Sequence, residues 1–140
     1  MDKFMKLALD QAEKAFFENN VPVGAVIVKD NKIISFAHNK KNSSNISVYH
    51  AEILSIIDAC KKLGTWYLED CVMYVTLKPC NMCASAIAES RIKKVFYLID
   101  SNYTENMNAN INNIHFEKLN EFENKYLKLL SDFFKNKRLP

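Results

Sequence analysis

Two cysteines, Cys80 and Cys83, follow a proline in the stretch Lys78-Pro79-Cys80-Asn81-Met82-Cys83. Earlier in the chain, His50 and Glu52 flank Ala51 at the head of an apolar segment. At a helix start, the i, i+3 spacing of the cysteines points both sulfurs the same way. The partial positive charge there lowers thiol pKa toward the thiolate that a metal requires. Two thiolates and an imidazole suit tetrahedral Zn2+, and three protein ligands leave a fourth position for water, as in a catalytic site. Zinc brings the pKa of such a water to about 7. Glu52 is too close to His50 along a helix to point as an i+3 partner would, yet it can reach that water as a proton shuttle. The expectation is one Zn2+ per subunit held by His50, Cys80 and Cys83, with Glu52 as the catalytic acid–base.

The elements that must position these residues are legible as hydrophobic periods. Phe4, Leu7, Ala8, Ala12, Ala15 and Phe16 recur at helical spacing, with Asp2 where an N-cap belongs, and predict a first helix ending near Asn19 and Asn20. Val21-Pro22-Val23-Gly24 breaks that pattern. Strands are expected at 25–28 and 32–37, joined by an Asp30-Asn31 turn into a hairpin. The polar stretch 39–47 reads as an exposed loop. A helix from about His50 follows, with Ile53, Ile56, Ile57 and Cys60 inward and Gly64 as its stop. Then come a strand at 71–77, a helix at 80–90 and a strand at 95–99. A polar connection at 100–113 holds at most one helical turn, and a short strand at 114–119 follows it. Phe122, Tyr126, Leu129, Leu130, Phe133 and Phe134 give an amphipathic last helix. This order implies one α/β domain over 1–140, a mixed sheet with helices on both faces.

Composition bounds the rest. At 140 residues, 49% hydrophobic and 25% charged, the chain suits a single soluble domain with a core of its own. No apolar run is long enough to span a bilayer, and the first residues alternate apolar with charged, unlike a signal peptide. A cytoplasmic location is expected, where a close cysteine pair binds metal or does redox chemistry more readily than it forms a disulfide. A net charge of +3 permits nucleic-acid contact without predicting it. With only two glycines and many asparagines, asparagine is expected at left-handed turn positions.

His-x-Glu followed by Pro-Cys-x-x-Cys is the known signature of zinc nucleobase deaminases. The chain also resembles the bacterial tRNA adenosine deaminases, of the cytidine deaminase-like superfamily. The likeness runs through Val21-Pro22-Val23-Gly24-Ala25-Val26-Ile27-Val28, Asn39, His50-Ala51-Glu52-Ile53 and Tyr74-Val75-Thr76-Leu77. It continues through Pro79-Cys80-Asn81-Met82-Cys83-Ala84, Ser90-Arg91-Ile92 and Ser131-Asp132-Phe133-Phe134-Lys135. That resemblance implies a three-layer α/β/α sandwich with a five-stranded sheet and a homodimer that sets both subunits against RNA. It implies hydrolysis of adenosine to inosine at the wobble position of a tRNA anticodon stem-loop, with the arginine tRNA expected. Glu52 would carry the water proton to the ring and then to departing ammonia. Asn39 matches the residue that hydrogen-bonds the base, Ala51 its backbone neighbour in the pocket, and Val23, Phe134 and Lys135 further substrate contacts.

The chain departs from the family pattern at Lys78, usually glutamate, and at Ser85, usually glycine. In place of Gly-Ala-x-Asp-x-Lys-x-Gly it carries Leu98-Ile99-Asp100-Ser101-Asn102-Tyr103-Thr104-Glu105, a loop that lies near the RNA in relatives. Two other readings share the zinc motif: a deaminase of free guanine, cytosine or their nucleosides, and a non-catalytic RNA-binding subunit. The presence of Glu52 argues against the second. Cys60 and Cys71 sit on apolar faces as core residues, with a four-ligand structural zinc as their alternative. His38 adjoins Asn39 and could line the pocket, whereas His115 has no partner in sequence. Phe133 and Phe134 read first as core, and Lys135, Lys137 and Arg138 as a solvated helix end or a grip on phosphates.

Overall fold

A computed structural model describes residues 2–101 and 109–136. The divergent positions 102–105 and the basic pair Lys137 and Arg138 fall outside the described residues. Helix α1 (Asp2–Phe17) buries Phe4, Met5, Ala8, Leu9, Ala12 and Ala15 on one stripe, the 3.6-residue period at work. Asp2 lies within the helix and is not the cap expected of it. The chain turns away at Asn19, in the left-handed region at φ 65°.

Strands β1 (Gly24–Lys29) and β2 (Lys32–His38) form the expected hairpin. Asp30 and Asn31 have φ of 52° and 63°, the signature of a type I′ turn whose twist matches the strands. Gly24 is needed because a Cβ there would run into the Ala8 carbonyl oxygen. Only a glycine lets α1 lie this close to β1.

The stretch expected to be an exposed loop instead contains one helical turn, α2 (Lys41–Ser44). Asn20 explains it. Its buried Oδ1 accepts the backbone N–H groups of Asn42 and Ser43, both at 2.9 Å, so the turn is capped from a distant segment. Sequence periodicity carries no trace of such a cap.

Helix α3 (Ala51–Leu63) ends at Gly64 with φ 68°, as its position predicts. It buries Ala51, Glu52, Ser55, Ile56 and Ala59. Ile57, expected inward, is 41% exposed, because one residue turns the side chain by about 100° from Ile56. Strand β3 (Cys71–Val75), helix α4 (Asn81–Glu89), strand β4 (Lys94–Tyr97), a 3-10 turn (Ala109–Asn113), strand β5 (His115–Lys118) and helix α5 (Glu123–Asn136) complete the described chain.

The five strands form one sheet in the order β2-β1-β3-β4-β5. β1 is antiparallel to β2 and β3, and β4 runs parallel to both β3 and β5. Alternation along the strands feeds two cores. Ala25, Ile27, Met73, Val75 and Val95 face α3 and α4 through Ala51, Ile56, Ala59, Ala84 and Ile87. Val26, Val28, Tyr74 and Phe96 face α1 and α5 through Phe4, Met5, Leu9 and Tyr126. The expected three-layer α/β/α sandwich with a mixed sheet is therefore present. Among the described residues, no helix is long and apolar enough to cross a membrane.

Candidate active site

The β3–α4 connection leaves the carboxyl end of a strand and enters a helix, the usual place for a ligand in α/β sheets. Cys80 is the residue before α4, with extended φ −71° and ψ 176°. His50 holds the same position before α3, with φ −85° and ψ 152°. Neither side chain caps its own helix. They turn to each other: His50 Nδ1 lies 3.7 Å from Cys80 Sγ and 3.4 Å from Cys83 Sγ.

The three ligand atoms lie within 4.8 Å of one another. Tetrahedral zinc with ordinary Zn–N and Zn–S bonds needs its nitrogen and sulfur ligands about 3.5 Å apart. The trio thus has the spacing and donor chemistry to hold the ion. Cys60 and Cys71 do not join the group, and burial raises both thiols away from the thiolate form. They are core residues.

Electrostatics divide the site into groups of opposite habit. The hydrogen bond from Cys83, assisted by His50, draws Cys80 down to about 4 despite its partial burial. Cys83, which gives that bond, is pushed up by it and by burial. Bonding to Cys80 raises His50. Glu52, 4% exposed in the first turn of α3, is raised from 4.5 to about 7, foremost because burial strips water from its carboxylate. It also reaches Cys83. The spacing objection to Glu52 dissolves because His50 lies outside the helix in extended backbone, so two residues on bring the chain back to the same cleft.

Asn39 follows β2 and is buried, with its N–H bonded to the Val23 carbonyl at 3.1 Å. Its Oδ1 accepts the Ala51 N–H at 2.7 Å. Asn39 therefore does the capping that His50 does not, and fixes the start of α3 to the end of β2. On the other side, the Tyr126 hydroxyl of α5 donates to the Pro22 carbonyl at 2.7 Å, pinning the segment that carries Val21 and Val23. Tyr126 reads in the sequence only as a core aromatic, because the period shows which face it is on and not what its hydroxyl meets.

These residues surround a cleft of about 460 Å³, within the range of small-ligand sites. Val23, Asn39, His50, Glu52, Cys80 and Phe134 all line it, and Ala51 reaches it only through the backbone bond to Asn39. Phe134, read both as core and as a substrate contact, is 55% exposed and lines the cleft, while Phe133 takes the core position. Lys135 is exposed and does not line the cleft. His38 turns the opposite way, its ring bonded to Glu18 at 2.8 Å and Gln11 at 3.2 Å. His115 is exposed on β5, 3.5 Å from Glu117.

Lining residues given no role from the sequence include Lys41, Asn42, Leu77 and Lys78. The Lys78 ammonium sits 5.5 Å from the Tyr97 ring and 5.1 Å from that of Phe116, which accounts for a lysine beside the cysteines. A second cleft of about 530 Å³ near Arg91, Lys93 and Asn113 is lined by neither thiol nor carboxyl.

The profile of the MafB19-like deaminases matches residues 1–138. The chain belongs to that family. It is 51% identical over 94 residues to the tRNA-specific adenosine deaminase of Aquifex aeolicus, an alignment covering 67% of this chain and 62% of that protein. The chain thus spans somewhat less than two thirds of that relative. A structure from a study of A-to-I editing by tRNA:A34 deaminases is 32% identical, with a TM-score of 0.77, covering 84% of this chain and 98% of the other. The guanine deaminase of Bacillus subtilis is 40% identical, with a TM-score of 0.67, covering 71% of this chain and 64% of the other.

Proposed function

We propose that the protein is a zinc-dependent deaminase that converts adenosine to inosine at the wobble position of a tRNA anticodon. The observation that carries this reading is the buried Glu52 carboxyl beside the His50, Cys80 and Cys83 trio, on the floor of an open cleft. The likeness to proteins named tRNA-specific adenosine deaminase supports the substrate. His50, Cys80 and Cys83 would hold one zinc ion per subunit. Zinc so bound supplies Lewis acidity that makes water a nucleophile at neutral pH.

The chain's own residues do the rest. A carboxyl near 7 both takes and gives protons at neutral pH. Glu52 removes a proton from the attacking water and delivers it to N1 of the adenine as the C6–O bond forms. It then passes the second water proton to the amino nitrogen as the C6–N bond breaks, leaving inosine and ammonia. Asn39, fixed by Ala51, and Val23 hold the base, and Phe134 covers the opening. Lys135 is assigned to the phosphates outside.

The arginine tRNA is the assigned substrate, in the cytoplasm, with a homodimer as the working unit. Exposed Ile46, Val48 and Met82, in the segments that frame the site, support a second copy; sedimentation of the purified protein at dimer mass is the expected result.

A second reading, release of ammonia from free guanine, is favoured by the 40% identity to a guanine deaminase. Incubation with an anticodon stem-loop bearing a wobble adenosine, and separately with guanine, distinguishes the two. Inosine in the RNA is expected. Ammonia from guanine with the RNA untouched would replace the first reading by the second.

A further inference from the structure

Beside the active cleft lies another, of about 360 Å³, lined by Lys14 of α1, Phe36, His38 and Lys40 from β2 onward, Tyr49, and Lys61 of α3. The two clefts share a wall. Along residues 38–41 the side chains alternate, so His38 and Lys40 line the outer cleft while Asn39 and Lys41 line the active one. Tyr49 and His50 divide in the same way. The Lys40 N–H donates to the Tyr49 carbonyl at 2.9 Å and ties the two halves of the wall together.

The ion pairs among the described residues use other lysines, such as Lys6 with Asp10, Lys93 with Glu69 and Lys94 with Glu117. Lys14, Lys40 and Lys61 form none within 4.0 Å. Within the outer cleft they face one lining carboxylate, Asp58, while Glu18 is engaged with His38. Among its polar walls the cleft carries apolar and aromatic patches, with Phe36 48% exposed on the edge strand and Ile57 and Leu54 on α3. An exposed Phe36 and a half-buried Tyr49 rimmed by three lysines, of which Lys14 and Lys40 share only the charge of Glu18, are the chemistry of single-stranded nucleic acid: bases stack and phosphates meet cations. A free purine in the active cleft has no use for such a surface.

We propose that this outer cleft binds an unpaired nucleotide adjoining the target adenosine. Its base lies on Phe36 and Tyr49, and its phosphates meet Lys14, Lys40 and Lys61 as the strand crosses the wall between Lys40 and Lys41. The proposal rests on the RNA reading above and extends it to where the strand runs.

The test uses the full-length protein and an anticodon hairpin with a wobble adenosine, comparing wild type with Lys14→Ala/Lys61→Ala and with Phe36→Ala. Both lysines are exposed on helices, where alanine is well tolerated. The double variant is expected to raise Kd and KM for the hairpin roughly tenfold at low salt. It should also flatten the slope of log Kd against log salt by about 1.4, with kcat retained at saturating RNA. Phe36→Ala is expected to weaken binding at least about fivefold with the salt slope unchanged, since stacking carries no counterion. If wild type edits the hairpin but the double variant matches it in Kd and slope, the outer cleft is refuted and the deaminase reading stands. A wild type that leaves the hairpin adenosine untouched overturns both.

Discussion

Helices α3 and α4 start alike and behave oppositely. Each is preceded by an extended residue, His50 or Cys80, whose side chain abandons capping to face the other. Both starts carry the same half-positive helix terminus. Yet the acid in the first turn of α3 is raised to about 7, whereas the thiol that opens α4 is lowered to about 4. The helix dipole therefore decides neither. Burial governs Glu52, and a sulfur hydrogen-bond donor governs Cys80. One helix start offers a thiolate ready for a metal at neutral pH; the other offers a carboxyl that still exchanges protons there. The two also differ in support: Asn39 replaces the missing cap of α3, while the segment leading into α4 is tied at the Lys78 carbonyl, which accepts from the Ser101 hydroxyl at 3.0 Å.

Breaking the α4 side should have the largest effect. Cys83→Ala is expected to reduce bound zinc from about one per chain to near zero and to abolish turnover, as read by elemental analysis and inosine formation. Full zinc occupancy in that variant would remove Cys83 from the ligand set.

Loss of the borrowed cap should be smaller. Asn39→Ala leaves the Ala51 N–H without its acceptor and is expected to lower stability by about 1 kcal/mol in denaturant unfolding. Asn39→Asp retains an oxygen there, and should recover most of that loss without recovering activity. Equal stability of the alanine variant and wild type would show that α3 needs no cap from β2.

The third effect is confined to a window of pH. Between 4.5 and about 7 the folded, metal-free protein keeps a proton on Glu52 that the unfolded chain has lost. Stability must therefore fall as pH rises through that window. Glu52→Gln lacks this titration, so chelated Glu52→Gln should gain on chelated wild type from pH 4.5 to about 7, by up to about 3 kcal/mol, and hold that gain above it. A gap independent of pH would mean that Glu52 is not held neutral by burial.

Local signals are legible in the sequence and the convergence of distant segments is not. Asp30-Asn31, Gly64, and the His-x-Glu and Pro-Cys-x-x-Cys motifs announce themselves because turn geometry and metal ligation each demand particular residues at fixed spacing. The asparagine-for-glycine expectation holds at Asn19, Asn31 and Asn45, all with positive φ. Arg91 and Phe122 adopt the same region without any such compositional sign. Asn20 capping α2, Asn39 capping α3 and Tyr126 pinning Pro22 are contacts across long stretches of chain, to which a period of 2 or 3.6 is blind. Phe133 and Phe134 show the limit well: adjacent, chemically identical, and separated by one helical step into core and cleft. Lys14, Lys40 and Lys61 lie far apart along the chain, and only the fold gathers them into one cleft.

Zinc content and inosine formation measured on one preparation of Glu52→Ala test the division between the two helix starts most directly. About one zinc per chain, with turnover reduced by roughly 10²–10⁴-fold or more, is the predicted result, because the ligands and the proton carrier are separate groups. Turnover near wild type with zinc in place would contradict it.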